Sequence, residues 1–297
     1  MDSVLSWIGG KSQSAKRIVS LMSEHGCYCE VFFGAGWIFF EKKPSKDEVI
    51  NDINSELINF YRVIQRDCDK FKAREKYEMY SRELYYEYLQ DFYSGKHKSL
   101  DNVEKAFRFF YLIKAAFASK FGSGFAFGSN RQSSVAFFNQ FKELDGITKR
   151  LKNATIDNRD FEDVIKSYDS ERTLFMCDPP YMKSDNSDYY FKSANASFGL
   201  HEHQRLFMAL RSIKGKFILT VDDTSWVRER YCTGEPVILE NKVHYSEDSG
   251  FYWLDNEVYY CSADADNRRH EVELIIMNYN PNNIKKHTDI NQTKLQF

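Results

Sequence analysis

The residues best suited to chemistry follow directly after a short apolar run at residues 174–177. This run, Leu-Phe-Met-Cys, is typical of a strand buried on both faces, and Asp-Pro-Pro-Tyr comes next. Proline holds φ at roughly −65° and has no N–H, so the turn is stiff. It keeps a carboxylate, a main-chain carbonyl and an aromatic ring together at a strand's carboxyl end, where open α/β sheets bind ligands. The cluster suits an exocyclic amine, and an ordinary Pro-Pro turn is the alternative interpretation. The candidate catalytic residues are Asp178, Pro179, Pro180 and Tyr181.

A glycine-rich turn forms a second candidate site at residues 30–36, Glu-Val-Phe-Phe-Gly-Ala-Gly. A central strand is predicted to enter this turn and a helix to leave it. The next predicted strand, at 49–52, ends in Asp52, 18 residues after Gly34. Rossmann-type folds place the acidic residue that binds ribose hydroxyls at a spacing of about 20 residues. Asp52 is therefore predicted to bind a ribose, and capping of the following helix is the alternative.

A third motif, Trp-Ile-Gly-Gly-Lys-Ser, occupies residues 7–12. Its Gly-Lys-Ser is also found in P-loops, but a P-loop needs a glycine five residues before the second glycine, and Leu5 stands there. Glycine leaves the backbone uncrowded, so this segment can approach a carboxylate closely. The alternative is that Lys11 is an ordinary surface lysine.

Together the three motifs resemble those of amino-group methyltransferases, which act on adenine N6, cytosine N4 or related nitrogens. Their order, with a long insert between the glycine-rich turn and the Asp-Pro-Pro-Tyr turn, is similar to that of the Dam-like D12 class of DNA adenine-N6 methyltransferases. The resemblance runs from about Leu5 to Tyr279 and is weakest in the insert. One departure is Val31, which stands where many family members carry proline.

The resemblance implies methyl transfer from S-adenosyl-L-methionine to adenine N6 in double-stranded DNA. The target base must leave the duplex, because its N6 is otherwise buried in base pairing. Tyr181 would stack on this base, while Asp178 and the Pro179 carbonyl would accept hydrogen bonds from its amino group. Neither a metal nor a protein nucleophile is needed, since positioning drives the transfer.

The resemblance also implies the cofactor site. The N-terminal motif would contact the methionine part of the cofactor, and Asp160 and Phe161 would bracket its adenine. A place in the core is the alternative for Phe161. The implied cofactor-binding residues are Trp7, Lys11, Glu30, Phe32, Gly34, Gly36, Asp52, Asp160, Phe161 and Asp178.

Other functions remain as alternatives at this stage. Methylation of cytosine N4 or of RNA adenine suits the same turn, although the motif order and the aspartate favour adenine in DNA. A catalytically silent DNA-binding or cofactor-sensing protein is disfavoured because Asp178 and the glycine-rich turn are intact. A NAD-dependent dehydrogenase is disfavoured because Phe39 holds the third glycine position of Gly-x-Gly-x-x-Gly.

These motifs require an α/β fold to position them. We predict a Rossmann-like methyltransferase sheet of seven strands, with helices on both faces and an antiparallel last strand at 272–277. Further predicted elements are strands at 154–156, 217–221 and 237–243, and helices at 14–24, 37–41 and 201–212. The predicted organisation is a catalytic domain at 1–56 and 151–280, a mostly helical target-recognition domain at 57–150, a loop over the active site at 183–196 and a flexible tail at 281–297.

The insert has a charge pattern of its own. Residues 57–150 hold 17 Lys and Arg against 11 Asp and Glu, although the whole chain has a net charge of −2. A basic segment in an acidic chain predicts a DNA-contacting surface, with a solvated helical surface as the alternative. Glycines alternate with aromatic residues at 121–131, which predicts a mobile loop or hairpin, with a plain linker as the alternative. The predicted DNA-binding residues are Lys114 and Lys120, for phosphates, and Arg131, for a base.

The composition predicts a soluble protein, and the resemblance implies one that acts as a monomer in the cytoplasm of a bacterial or phage-infected cell. No apolar run approaches the ~20 residues of a membrane span, and the N-terminus lacks the pattern of a signal peptide. Six cysteines are scattered without zinc-type spacing, so we expect reduced thiols and no metal.

Overall fold

The computed structural model describes residues 3–5, 10–117, 121–127, 133–182, 198–259 and 270–284. Its strands are β1 Cys27–Glu30, β2 Asp47–Asn51, β3 Thr155–Asp157, β4 Thr173–Cys177, β5 Lys216–Asp222, β6 Val237–Ile238, β7 His244–Tyr245, β8 Tyr252–Tyr259 and β9 His270–Met277. Its α-helices are α1 Ala15–Ser20, α2 Trp37–Glu41, α3 Ser55–Arg66, α4 Cys68–Ala73, α5 Arg82–Ser94, α6 Asn102–Lys114, α7 Ser133–Leu151, α8 Phe161–Tyr168, α9 Leu200–Ser212 and α10 Ser225–Tyr231.

The strands form one mixed sheet in the order β3-β2-β1-β4-β5-β9-β8-β7-β6. The first five are parallel, and β9 runs antiparallel to both of its neighbours, which confirms the predicted antiparallel strand. The chain leaves β1 toward β2 and β3 and later returns to place β4 on the other side of β1. The carboxyl ends of β1 and β4 therefore meet at a topological switch point, where ligands of open α/β sheets bind.

The predicted count of seven strands was wrong, because the described part of the sheet has nine. The strand predicted at 237–243 forms only at its start, as β6. A 3₁₀ turn follows in which Asn241 and Lys242 both have φ of 58°, and β7 begins beyond the predicted range, at His244. Strand β8 was missed because its centre, Asp-Asn-Glu, is made of residues that are rare in strands. Pairing with β9 along its whole length overrides that weak propensity.

Helices α3 to α7 account for most of the predicted helical insert. Their shared core is aromatic, with the rings of Phe60 and Phe110 stacked at 5.8 Å. It is continuous with the core on one face of the sheet, which includes Ile50 and Met176. The insert thus packs directly on the sheet. The buried phenylalanines of this core include Phe60, Phe71, Phe107, Phe110, Phe137 and Phe141.

A short hairpin follows α6, as the glycine-aromatic pattern predicted. Phe117 donates its N–H to the Gly124 carbonyl at 2.7 Å, and Ala126 donates to the Ala115 carbonyl at 2.7 Å. Its outer face presents Phe117 and Phe127, whose exposed fractions are 62% and 75%. Large apolar rings are thus open to solvent beside the hairpin.

The tail predicted to be flexible from residue 281 begins as ordered structure instead. Pro281–Asn283 form a 3₁₀ helix that Asn280 caps through its side chain, and Pro281 is buried. Proline at the first helical position favours this turn, because its φ is already fixed near the helical value and its missing N–H would have had no partner there. The predicted loop at 183–196 and the tail from 285 onward lie outside the described residues. Among the helices of the described ranges, none is long and apolar enough to span a bilayer.

Candidate active site

The carboxylate of Asp178 lies at the carboxyl end of β4, whose five residues are all buried. The Thr220 hydroxyl, from the neighbouring strand β5, donates to Asp178 Oδ1 at 2.6 Å. The Lys11 ammonium lies 2.7 Å from the same oxygen. Two donors from distant parts of the sequence therefore hold this carboxylate in one orientation.

Lys11 is buried, with 6% of its surface exposed, so the surface-lysine alternative is wrong. Its Nζ also lies 3.7 Å from Glu273 Oε1 and 4.8 Å from the centroid of the Tyr181 ring. Burial raises the pKa of Glu273, and the Lys11 charge opposes that rise. The ammonium thus occupies a space bounded by the Asp178 acceptor and the Tyr181 ring, the two groups predicted to bind an amine.

Both sides of the Tyr181 backbone are anchored. The Pro180 carbonyl lies 3.0 Å from His203 Nε2, and the Met182 N–H donates to Asp222 Oδ1 at 3.2 Å. His203 and Asp222 are each 3% exposed. Sequence reasoning missed these two residues, and it also missed Thr220 and Glu273. The sequence offered a signal only for Thr220 and Asp222, which are polar residues at the carboxyl end of the strand predicted at 217–221.

The glycine-rich turn after β1 has the backbone that glycine permits. Gly34 and Gly36 have φ of 50° and 70°, and a Cβ on Gly36 would lie 2.4 Å from Cζ of Phe33. Asp52 Oδ2 accepts the Gly34 N–H at 2.9 Å, and Oδ1 accepts the Asn54 N–H at 2.9 Å. The side chain of Asn54, rather than that of Asp52, caps α3. The helix-cap alternative for Asp52 is therefore wrong, and its carboxylate lies against the turn.

Three phenylalanine rings form an apolar cluster next to this turn. Phe32 lies 5.6 Å from Phe161 and 5.4 Å from Phe198, and Phe161 lies 5.7 Å from Phe198. Phe161 and Phe198 are buried, whereas Phe32 is partly exposed. An apolar surface made of aromatic rings suits a purine ring. Phe198 was not predicted, because nothing in its local sequence marks it.

The structure gives Asp160 partners within the protein. It caps α8 by accepting the Glu162 N–H at 3.0 Å, and its Oδ1 lies 2.8 Å from Nη2 of Arg205. The Arg205 guanidinium also lies 4.7 Å from the centroid of the Phe161 ring. Hydrogen bonding of Asp160 to the cofactor's adenine stays a prediction, and the ion pair takes up part of its acceptor capacity.

A family model described as "D12 class N6 adenine-specific DNA methyltransferase" matches residues 7–246 of this chain. The chain belongs to this class. The predicted enzyme activity, adenine-N6 methylation of DNA, and the methyl donor, S-adenosylmethionine, are thereby confirmed.

Relatives of this D12-class chain are known from bacteria and a virus. The Type II methyltransferase M1.LlaDCHI of Lactococcus lactis subsp. cremoris is 29% identical, covering 75% of this chain and 81% of that protein. The Type II methyltransferase M.CviBI of Paramecium bursaria Chlorella virus NC1A is 27% identical, with coverages of 84% and 94%. The DNA adenine methylase of Escherichia coli K12 is 25% identical, with coverages of 83% and 90%.

Glu30 ends β1 as a buried carboxyl group of the D12-class enzyme, with 4% of its surface exposed. The Tyr28 hydroxyl donates to Glu30 Oε2 at 2.7 Å. Burial raises the pKa of Glu30 to about 8; the Tyr28 hydrogen bond opposes this rise and the charge of Asp178 adds to it. Glu30 is therefore mostly protonated at pH 7.

This protonation predicts a dependence of stability on pH. A folded pKa above the unfolded value means that the folded state binds more protons between pH 4.5 and about 8. The free energy of unfolding should fall as pH rises through this window, by up to about 1.4 kcal/mol per pH unit for one group. Glu30→Gln imitates the protonated form and should remove this slope. Urea unfolding of both proteins at pH 5 to 8 measures it.

The difference between the two proteins isolates Glu30, because burial also raises the pKa of Asp52 and Glu273. Those two groups contribute slopes of the same sign to both proteins. Identical pH dependence of the two proteins would show that Glu30 ionises normally in the fold.

Of the predicted DNA-binding residues, the structure describes only Lys114. It is the last residue of α6 and is half-buried, and burial lowers its pKa to about 8. Lys120 and Arg131, and the cofactor residue Trp7, lie outside the described residues. Within the described ranges, no group of three or more His, Cys, Asp or Glu side chains is placed to hold a metal ion.

Proposed function

We propose that this D12-class methyltransferase acts site-specifically on double-stranded DNA, with its target adenine flipped into the turn at residues 178–181. The observation that supports this best is the position of the Lys11 ammonium. Its Nζ lies 2.7 Å from Asp178 Oδ1 and 4.8 Å from the centroid of the Tyr181 ring. An acceptor and a flat ring that already bind one amine are suited to bind the exocyclic amine of a base.

In the proposed mechanism, Asp178 and the Pro179 carbonyl accept the two hydrogens of the adenine amino group. This leaves the N6 lone pair free to attack, while Tyr181 stacks on the base and fixes its plane. S-adenosylmethionine, when bound, supplies a methyl carbon attached to positively charged sulfur. Catalysis then comes mainly from orientation and proximity, and no protein nucleophile takes part.

Lys11 must leave Asp178 before the amino group can take its place. Glu273 Oε1 lies only 3.7 Å from Lys11 Nζ, so a small movement gives the ammonium another buried carboxylate. This partner limits the cost of displacing Lys11, because an unpaired buried charge is strongly unfavourable.

The residues of the cofactor site fit a nucleoside with a charged tail. Asp52 presents a carboxylate beside the glycine-rich turn for the ribose, and Phe32 and Phe161 offer an apolar surface for adenine. Gly34 and Gly36 have the positive φ that lets the backbone of this turn lie close to a ligand. We assign the remaining cofactor contacts to Trp7, Lys11, Glu30, Asp160 and Asp178.

We propose residues 57–150 as the target-recognition domain. Part of the excess of Lys and Arg over Asp and Glu in this segment is neutralised within the protein, because Arg74, Arg108 and Arg150 form ion pairs with carboxylates. The exposed rings of Phe117 and Phe127 border the predicted DNA-binding positions in the sequence. Cationic side chains beside exposed aromatic rings suit a nucleic acid surface. One chain carries both proposed sites, so a cytoplasmic monomer suffices.

A pH-dependent DNA contact is expected at Lys114. Its lowered pKa means that the positive charge is lost as pH rises above about 8. At pH 7, Lys114→Gln should reduce the slope of log Kd against log salt by about 0.9, the value for one phosphate contact. At pH 9 the same substitution should change little. Fluorescence anisotropy titrations at several salt concentrations measure both slopes.

Exposed Lys98 serves as the control for net charge, since Lys98→Gln removes the same formal charge from the same domain. A loss in Lys114→Gln that equals that of Lys98→Gln at both pH values would rule out the specific contact.

Arg131 is expected to read a base. Arg131→Ala should lower discrimination between specific and scrambled duplexes by ~1–3 kcal/mol and leave most non-specific binding intact. Titrations on both duplexes separate the two effects. Equal weakening on both would make Arg131 a phosphate contact instead.

The overall proposal is tested by incubating the purified protein with genomic DNA and S-adenosylmethionine, followed by sequencing that identifies modified bases. N6-methyladenine at one fixed sequence is expected. Methylation scattered without a consensus sequence would contradict site-specific recognition.

A further inference from the structure

The Pro180 carbonyl has a partner that sequence reasoning did not predict. His203 Nε2 lies 3.0 Å from the Pro180 oxygen, and His203 is 3% exposed in the first turn of α9. A carbonyl only accepts hydrogen bonds, so Nε2 must carry the proton and donate it. The imidazole therefore holds the peptide that joins Pro180 to Tyr181.

The ring of His203 is itself fixed. Phe198 packs edge-on at 4.9 Å and Trp226 at 6.1 Å. Burial lowers the pKa of His203, and the nearby carboxylates of Asp222 and Glu202 oppose that effect. Nε2 carries a hydrogen in both the neutral and the protonated ring, so the donation to Pro180 persists when the ring titrates.

The Asp-Pro-Pro-Tyr turn depends on outside partners because neither proline has an N–H to pair. Asp178 is held by Thr220, and the Met182 N–H is held by Asp222. The peptide that orients the Tyr181 ring lies between these two anchors. His203 supplies the contact at that point.

We propose that His203 is a positioning residue: its hydrogen bond to the Pro180 carbonyl sets the orientation of Tyr181, the ring on which the target adenine stacks. This inference rests on the proposed role of the turn at residues 178–181. Misplacement of a stacking partner by about 1 Å costs roughly 100-fold in rate, because catalysis here consists of orientation.

The test compares substitutions that keep or remove the donor. His203→Gln retains an N–H group, whereas His203→Leu and His203→Phe retain bulk without it. With the enzyme in excess over a duplex carrying its methylated sequence, His203→Phe and His203→Leu should slow single-turnover methyl transfer about 10- to 100-fold. His203→Gln should recover most of the rate. Affinity for S-adenosylmethionine and the Tm should be alike in the three variants.

His201→Phe is the matched control, because His201 lies two residues earlier in the same helix with its side chain 79% exposed. It should react at the wild-type rate. The proposal is overturned if His203→Phe and His203→Leu react at the wild-type rate, or if His203→Gln is as slow as they are. Since two apolar variants are used, failure of one to fold still leaves the comparison intact.

A pH profile separates positioning from proton transfer. The wild type and His203→Gln should show the same dependence of rate on pH, because the histidine donates in both charge states. A limb of the wild-type profile that disappears in His203→Gln would make His203 a base and overturn the proposal. If Asp178→Ala keeps its methyl-transfer activity, the proposed function itself is overturned. If Asp178→Ala is inactive but His203→Phe reacts at the wild-type rate, only this inference is overturned.

Discussion

Replacing Asp178 by alanine should lower methyl transfer by at least about 10²–10³-fold. S-adenosylmethionine binding should largely survive, because Asp52 and the other residues assigned to the cofactor remain. The carboxylate is proposed to accept a hydrogen from the adenine amino group, so its loss removes an interaction with the reacting atom. Lys11 keeps Glu273, 3.7 Å away, as a partner, and the fold should therefore tolerate the change. Single-turnover rate and cofactor affinity are to be measured separately.

Two further variants show whether the loss of rate comes from the missing Asp178 carboxylate. Asp178→Asn keeps one acceptor oxygen and should be less impaired than Asp178→Ala. Asp223 lies just beyond β5, paired with Arg228 at 2.8 Å, and Asp223→Ala should react at nearly the wild-type rate. Near-normal turnover of Asp178→Ala would refute the assignment of the catalytic turn.

Replacing Asp52 by alanine should weaken S-adenosylmethionine binding by ~1.5–3 kcal/mol, which corresponds to about 10- to 150-fold in Kd. A ribose hydroxyl would lose a charged acceptor in a partly buried site. The rate at saturating cofactor should change much less, because Asp52 does not touch the reacting atoms in the proposed mechanism. Isothermal titration calorimetry gives the affinity, and turnover at increasing cofactor concentration gives the KM.

Asp52 also accepts the N–H groups of Gly34 and Asn54, so its removal affects the turn itself. Asp52→Asn controls for this, because its amide oxygen can still accept one of these bonds but carries no charge. If Asp52→Ala binds the cofactor as tightly as the wild type, Asp52 only braces the turn.

Local features of the site were predictable from sequence because each requires particular residue types at consecutive positions. A strand buried on both faces needs an uninterrupted apolar run, and β4 was found from that run. The positive φ of Gly34 and Gly36 is a conformation that glycine adopts easily, so the turn was found from its composition. Helix α2 and the antiparallel strand β9 were recognised in the same way.

The surroundings of Asp178 were decided only by the tertiary structure. Thr220 reaches Asp178 from 42 residues away in the sequence. Lys11, near one end of the chain, reaches Asp178, and Glu273, near the other end, lies against Lys11. His203 comes from a helix whose sequence shows only ordinary amphipathic spacing. The parallel pairing of β4 and β5 brings Asp178 and Thr220 together, because the carboxyl ends of parallel strands share one edge of the sheet. Lys11, His203 and Glu273 come from other elements of the fold, and no local sequence pattern shows that they meet there.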